Sequence, residues 1–401
     1  MFPKLRFKEF DENWKEVTLK NCITSIDSGW SPQCESYPAN SSEWGVLKTT
    51  SVDWSGFNSS FNKKLPLELT PRKEIEVKPL DILVTRAGPT ERVGVVSVVP
   101  HSVRSKLMIS DKLIRLKSNE ENNPLFLGIS LSSVKCQNQL QSKTSGLAKS
   151  QTNISQKILG EVLLKLPSKE EQTKIASFLS AVDEKISQLT QKHELLSQYK
   201  QGMMQKLFSQ QLRFKADDGS EFGEWEEKKL GEVGENIIGL TYSPTDVTND
   251  GTGILVLRSS NIKEGRLDKS DKVRVNKKIQ DKIIVQPNDI LICTRNGSQR
   301  LIGKSVIIND DEVMTFGAFM SVYRSKYNRF IAYLMQTPWF FEQVQMNLGA
   351  RINQITTGTL NEFTFDFPCL EEQTKIANFL SAIDQKIEVV AQQIEQAKQW
   401  K

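Results

Sequence analysis

The chain has 401 residues, of which 38% are hydrophobic and 25% are charged, with a formal net charge of +5. This composition is typical of a folded protein with two or three domains, excludes a disordered chain, and permits an anionic partner such as DNA. The five cysteines are scattered without a CxxC pair and there are only two histidines, which predicts reduced thiols and no zinc site. No apolar run is long enough to span a membrane and the N-terminus has no signal-peptide core, so we expect a cytoplasmic protein.

The N-terminal segment begins a pattern that returns halfway along the chain. LRF at Leu5–Phe7 is followed by Trp14, and LRF at Leu212–Phe214 is followed by Trp225. PLDILVTRAG at 79–88 likewise has a counterpart in PNDILICTRNG at 287–297. Shared elements in the same order, separated by divergent stretches, indicate an internal duplication.

The two divergent intervals, 1–168 and 211–369, each have the length of one domain and a mixed pattern of strands and helices. Apolar runs rich in β-branched residues predict strands at Val93–Val99, Lys272–Val275 and Ser305–Asp310. The apolar spacing of Asn328–Gln345 is typical of a helix. The expected fold class is therefore α+β, with two similar mixed α/β domains.

A nearly identical segment follows each interval. EEQTKIASFLSAVDEKI at 170–186 and EEQTKIANFLSAIDQKI at 371–387 share fourteen of seventeen residues at an offset of 201. Apolar residues spaced by heptads predict long spacer helices over 169–210 and 370–401, the first with a helical core of about 169–208. The second helix reaches the end of the sequence at Lys401 sooner than the first helix would, so it is either shorter than the first or truncated. The predicted seam residues are Ile175, Leu179, Val182, Ile186, Leu189, Leu196, Ile376, Leu380, Ile383 and Ile387.

Two arrangements of these helices are open from the sequence. Each helix could pack only on its own domain, although a long helix with a narrow apolar seam buries little of itself in that way. Alternatively the two helices pack on each other. A pseudo-two-fold relation between the halves would then make them an antiparallel coiled coil that holds the two domains apart.

The motifs that would indicate catalysis fail on inspection. GSQRLIGKS at 297–305 has one residue too many for a phosphate-binding loop, and an apparent strand follows it instead of a helix. EVK at 76–78 lacks a partner motif for a metal-dependent nuclease, and NPLF at 123–126 only approximates an adenine methyltransferase tetrapeptide. We therefore expect a non-catalytic chain that holds no metal or cofactor itself.

Polar and basic loops stand at equivalent places in both halves: 47–53 with 257–263, 85–92 with 294–300, and 142–153 with 347–356. Arg, Asn and Gln are the side chains that recognise base edges, and Lys, Ser and Thr commonly contact phosphates. The candidate DNA-binding residues are Lys48, Thr49, Ser51, Thr85, Arg86, Arg92, Lys143, Lys149, Gln151, Arg258, Ser259, Asn261, Thr294, Arg295, Asn296, Gln299, Arg300, Arg351 and Gln354. A solvated turn, or a repeated Thr-Arg pair that braces the fold, is the alternative for any one loop.

Over essentially its whole length the chain resembles the specificity (S, HsdS) subunits of type I restriction–modification systems. The resemblance rests on the duplicated EEQTKIAxFLSAxDxKI segments, the preceding DILVTRAG and DILICTRNG segments, and the repeated LRF and Trp pattern. It implies two target recognition domains, 1–168 and 211–369, each of which recognises one half of a split double-stranded DNA site. It also implies that the spacer helices fix the gap between the half-sites.

The same resemblance implies partners and cofactors. The helices would dock two modification subunits, which carry S-adenosylmethionine and methylate adenine, and restriction subunits with ATP and Mg²⁺ would complete the complex; no membrane is involved. Two other classes stay open from the residues alone. A stand-alone DNA methyltransferase or nuclease would bind S-adenosylmethionine or cut DNA by itself, and a coiled-coil adaptor would not contact DNA at all.

Overall fold

The structure is a computed structural model that describes residues 5–144, 152–348 and 353–400. The chain divides into two compact units, one that runs to Lys185 and one that extends from Ile186 to Gln399. The division falls inside a single long helix, Lys169–Phe208, which matches the predicted helical core of about 169–208. We call this helix spacer helix 1 and the second long helix, Leu370–Trp400, spacer helix 2.

The first unit is built on a four-stranded antiparallel sheet with the strand order Ile23–Ser28, Leu113–Ser118, Ile82–Thr85, Val96–Val98. A smaller sheet sets Leu107–Met108 parallel to Gly45–Leu47, which pairs antiparallel with Asn62–Lys64. The remaining strands are Lys15–Thr18, Val52–Asp53, Gly56–Phe57, Ala87–Gly88, Thr152–Asn153 and Leu163–Leu166, and the α-helices before the spacer are Pro124–Ser132, Val134–Gln141 and Gln156–Gly160.

The second unit repeats this plan. Its antiparallel sheet has the order Glu235–Ile238, Met320–Arg324, Ile290–Cys293, Ser305–Ile307. Its second sheet has four strands in the order Val247–Thr248, Arg274–Val275, Ile254–Leu257, Met314–Phe316, of which the last two are parallel and the other pairs antiparallel. The other strands are Glu226–Lys229, Ile262–Lys263, Arg266–Leu267 and Thr364–Phe367, and the shorter α-helices are Leu230–Val233, Asn328–Leu334, Pro338–Met346 and Thr357–Asn361.

The same turn leads into the central strand of both sheets. Leu80 and Asn288 each have a left-handed φ of 67°. The residue that follows is a buried aspartate, Asp81 or Asp289, whose carboxylate accepts a 2.8 Å hydrogen bond from the backbone N–H three residues earlier. This explains why PLDI and PNDI survive in both halves, since the carboxylate closes the turn that starts the strand.

The predicted local elements are present in the structure. Strands occur within all three predicted stretches, as Val96–Val98, Arg274–Val275 and Ser305–Ile307. The helical spacing of 328–345 is also confirmed, although the region forms two helices, Asn328–Leu334 and Pro338–Met346, separated by a turn at 335–337. Pro338 starts the second of them, where a proline is tolerated, and the Thr337 hydroxyl caps it by accepting a hydrogen bond from the Phe340 N–H.

Candidate nucleic-acid interface

In the second unit the three predicted loops come together around Arg295. The backbone N–H groups of Thr294 and Arg295 both donate to the Phe319 carbonyl, at 3.1 and 3.0 Å. Arg295 also forms an isolated antiparallel bridge with Gln354. The Asn296 amide donates to the Ser259 hydroxyl at 3.0 Å. Loops that are up to about a hundred residues apart in sequence therefore form one surface.

In the first unit the equivalent loops also converge. The short strands Ala87–Gly88 and Thr152–Asn153 pair, which joins the loop at 85–92 to the end of the loop at 142–153. The Arg92 guanidinium donates to the Asp53 carboxylate and, at 2.7 Å, to the Val52 carbonyl, which ties in the loop at 47–53. The equivalence that the sequence suggested is thus present in the fold of each unit.

An open groove of about 1220 Å³ lies beside the converging loops of the second unit. Along this groove the Arg295 guanidinium stands 4.8 Å from the centre of the Phe319 ring, and Phe319 is 58% exposed. Stacking on an aromatic ring orients the planar guanidinium before any ligand arrives. The polar and aromatic lining includes Tyr242, Arg258, Ser259, Arg295, Asn296 and Phe319.

Four of the predicted DNA-contacting side chains are buried and hydrogen-bonded within the fold, and their contact with DNA stays a prediction. Ser51 donates to the Lys48 carbonyl at 2.6 Å, and Thr294 donates to the Phe319 carbonyl at 3.1 Å. Thr85 accepts a 2.9 Å bond from the Val95 N–H. Asn261 accepts from the Arg258 N–H and donates to two backbone carbonyls. These side chains brace the loops, because their hydrogen-bonding groups already have partners inside the fold.

Two of the predicted arginines form ion pairs within the fold. Arg92 pairs with Asp53, and this hydrogen bond is the main cause that lowers the pKa of the Asp53 carboxyl. Arg258 pairs with Asp271, whose pKa is lowered first by the Ser260 hydroxyl and then by Arg258. Any contact of these two arginines with DNA would have to share the guanidinium with its carboxylate partner.

The remaining predicted positions divide by exposure. Arg295, Gln299, Arg300 and Lys143 are exposed, and the half-buried positions are Lys48, Thr49, Arg86, Arg92, Arg258, Ser259, Asn296 and Gln354. Lys149, Gln151 and Arg351 lie outside the described residues. No sequence signal points to Phe319 or Tyr242, because an aromatic residue at a loop that bounds a groove is indistinguishable in sequence from one in the core.

The spacer helices use their seams unequally. Ile376, Leu380, Ile383 and Ile387 of spacer helix 2 are buried in the core of the second unit, against which Leu196 of spacer helix 1 packs. Between these helices the Lys200 ammonium lies 2.8 Å from the Asp384 carboxylate. In spacer helix 1, by contrast, Leu189 is buried, whereas the seam residues Ile175, Leu179, Val182 and Ile186 are only half-buried.

Among the described residues, no cluster of His, Cys, Asp and Glu is arranged to hold a metal ion. In the same part of the chain no helix is both long and apolar enough to cross a membrane.

Comparison with known proteins gives a consistent result. The family model described as "Type I restriction modification DNA specificity domain" matches residues 12–198 and 223–399. The chain is 40% identical over 171 residues to the Escherichia coli type I restriction enzyme EcoEI specificity subunit, a match that spans 42% of this chain and 29% of that subunit. It is 26% identical to the putative type I restriction enzyme MjaX specificity subunit of Methanocaldococcus jannaschii, over 100% of this chain and 93% of that protein.

A solved structure shares the fold. The crystal structure of the type I restriction–modification S subunit from M. genitalium superimposes with a TM-score of 0.63 at 16% sequence identity, and the match covers 99% of this chain and 96% of that one.

Proposed function

Because this chain belongs to the type I restriction modification DNA specificity domain family, we propose that it is the specificity subunit of a type I restriction–modification complex. Each of its two units would recognise one half of a split double-stranded DNA site. The observation that carries the proposal is the convergence of the predicted polar loops on one surface in both units. We propose that the chain is non-catalytic and works in the cytoplasm.

The surface around Arg295 supports DNA recognition on chemical grounds. Its guanidinium is exposed, it stacks on Phe319, and its backbone is fixed by two neighbouring segments. A fixed, planar guanidinium is suited to the bidentate contact with guanine O6 and N7 in the major groove. Arg300 and Gln299 are exposed on the same loop and would contact the backbone phosphates beside it.

We propose that the spacer helices form an antiparallel coiled coil that sets the gap between the half-sites. Spacer helix 1 has 40 residues, which at about 1.5 Å per residue gives roughly 60 Å. Half-sites contacted from one face of B-DNA lie about 34 Å, or one helical turn, apart. The helix is therefore long enough to separate two domains by that distance.

The repeated segment also supports docking of two modification subunits. Packing inside this chain does not require identical residues at exposed positions of the repeat. Several exposed positions are nevertheless identical in both copies, whereas the recognition intervals have diverged. A partner that binds both copies in the same way would preserve them. These positions are Glu170 with Glu371, Thr173 with Thr374, Ala181 with Ala382, and Lys185 with Lys386. S-adenosylmethionine would then be held by the modification subunits, and ATP and Mg²⁺ by the restriction subunits.

The decisive experiment is to co-express the chain with the modification subunit of its own type I system, in a host without DNA methylation, and to map methylated adenines. We expect a single split motif with one methylated adenine in each half, on opposite strands. A stable complex that binds S-adenosylmethionine but methylates no split motif would contradict the proposal.

The role of Arg295 has its own test in the same complex. Arg295→Ala should weaken binding to the mapped site by about 1–3 kcal/mol if the guanidinium contacts a base, and should relax specificity at one position of the second half-site. Lys326→Ala is a matched control, because it removes a cation from the same unit outside the three loops. Equal affinity and specificity in both variants would mean that the Arg295 loop only braces the fold.

The role of the helices can be tested by removing one heptad from each, Leu189–Leu195 together with the equivalent 390–396. This paired deletion keeps the seam in phase and shortens each helix by about 10 Å. The native gap should then no longer support methylation, and any new motif should have a different gap. Methylation at the native gap by an active variant would show that the length of the helices does not set the gap between the half-sites.

A further inference from the structure

One glutamate near the start of each spacer helix is almost completely buried. Glu171 is 1% exposed and Glu372 is 0% exposed. Both belong to the repeated EEQTK sequence. A carboxylate is rarely removed from water to this extent unless cationic or N–H donors surround it. Burial at the same position in both copies therefore points to a specific set of donors.

The donors are the same in both units. Glu171 accepts bonds from Arg6 Nε at 2.7 Å and Nη2 at 2.6 Å, and from Trp14 Nε1 at 3.3 Å. In the second unit the corresponding carboxylate accepts from Arg213 at 3.1 and 2.8 Å and from Trp225 at 3.1 Å. Bidentate pairing with a guanidinium fixes the orientation of both groups as well as their separation. The repeated LRF and Trp pattern thus has a direct structural explanation.

These bonds connect three parts of each unit. The arginine and tryptophan precede the first strand, and that strand pairs with the last strand before the spacer helix: Lys15–Thr18 with Leu163–Leu166, and Glu226–Lys229 with Thr364–Phe367. A phenylalanine beside each arginine packs edge-on against a helix phenylalanine, with centroids 6.0 Å apart for Phe7 and 5.6 Å for Phe214. We call each arginine, tryptophan and glutamate set a joint.

Other residues of the repeated segment are bound at the same joint. The Gln172 side chain donates to the Pro167 carbonyl at 3.1 Å, and Gln373 donates to the Pro368 carbonyl at 2.8 Å. Lys375 contacts Asp217 at 2.6 Å, just after the second LRF sequence. The second Glu, the Gln and the Lys of EEQTK are therefore engaged within the chain, unlike the first Glu and the other exposed positions of the repeat, which could dock a partner.

We propose that Glu171 and Glu372 are positioning residues that fix the angle between each recognition domain and its spacer helix, and so the gap that the subunit accepts. This inference rests on the proposed function. In the second unit Ile376 and Leu380 of spacer helix 2 also pack in the domain core, but apolar packing is non-directional and does not by itself fix an angle. A buried carboxylate held by three hydrogen bonds, two from the arginine and one from the tryptophan, does fix it, because any rotation would break charge-assisted hydrogen bonds and leave the charge unpaired away from water.

The test compares Glu372→Gln with Glu362→Gln, a control that removes a carboxylate from an exposed ion pair with Lys229 in the same unit. Trp225→Phe is the milder variant, since it deletes one N–H donor and keeps an aromatic ring against Phe330. The variants are made in the full-length chain with Cys34 and Cys369 replaced by Ser. Paired spin labels at exposed positions 249 and 396 then report the distance between the second recognition domain and spacer helix 2.

We expect a narrow distance distribution in the parent chain and the control, a broad one in Glu372→Gln, and an intermediate one in Trp225→Phe. In the assembled complex, methylation is measured on synthetic DNA sites that differ only in the gap between the half-sites. The preference for the native gap over gaps one base pair longer or shorter should fall about tenfold in Glu372→Gln, a difference of about 1.4 kcal/mol.

An unchanged distance distribution would overturn the proposal, as would a broadened one with unchanged gap preference. If the parent complex methylates no split site, the proposed function fails, and the spin-label distances still decide whether the joint fixes the domain. If Glu372→Gln does not fold, Trp225→Phe carries the same two measurements, with the same outcomes for and against.

Discussion

Leu179 and Leu380 occupy the same position of the repeat, which makes them a matched pair for measuring how each copy is packed. Leu380 is 0% exposed within the core of the second unit, whereas Leu179 is half-buried. Truncation to Ala removes three carbons, worth about 0.8 kcal/mol each when fully buried, so transfer alone costs about 2.4 kcal/mol at Leu380. The cavity left in a rigid core raises the loss of unfolding free energy to about 3–4 kcal/mol.

Leu179→Ala should lower the free energy of unfolding by only about 1 kcal/mol, because much of its side chain already contacts water and no closed cavity forms. The assay is urea unfolding of the full-length chain, followed by hydrogen exchange so that each unit is monitored separately. The second unit should lose stability in Leu380→Ala, with little change in the first. Equal losses in the two variants would refute the inference that the two copies of the seam are packed differently.

Three further predictions concern the loops and turns. Leu80→Asn should raise the unfolding free energy of the first unit by about 0.5–1 kcal/mol, since asparagine tolerates the left-handed φ that Asn288 already adopts; a lower melting temperature would contradict this. At pH 8 a maleimide should modify exposed Cys369 quickly and leave Cys293 unmodified. Burial raises the pKa of the Cys293 thiol to about 11, which suppresses the reactive thiolate, so rapid labelling of Cys293 in the folded chain would count against its burial. Thr294→Val should cost about 1 kcal/mol of stability without changing the recognised motif, and an altered motif would return this residue to the interface.

The long helices and the equivalence of the loops could be predicted because both depend on local or repeated patterns. Heptad spacing gave the bounds of spacer helix 1, and repetition of TRxG gave corresponding loops. The burial of Thr85 and Thr294 could not be predicted, because a threonine at the end of a strand can face the core or the solvent with equal local propensity. Its direction is decided by partners distant in sequence, such as the Phe319 carbonyl.

The unequal seams could not be predicted either. Spacing places Ile175 and Ile376 in identical heptads, yet one is half-buried and the other is 1% exposed. A heptad pattern states which face of a helix is apolar, but the number of atoms that cover this face depends on the rest of the fold. The same limit applies to Phe319, whose exposure follows from the path of the loop beside the groove.

The joint explains why one part of the chain is conserved between the halves while its surroundings diverge. Under the proposed function each recognition domain binds a different half-site, so its loops are free to differ, as those around Arg86 and Arg295 do. Both domains must nevertheless be held on a helix at a defined angle, and a buried carboxylate tolerates few solutions, because any replacement leaves an arginine or an indole N–H without its acceptor. Glu171 and Glu372 would therefore remain identical for a reason internal to the chain, whereas the exposed identical residues of the same segment require an external partner to explain them.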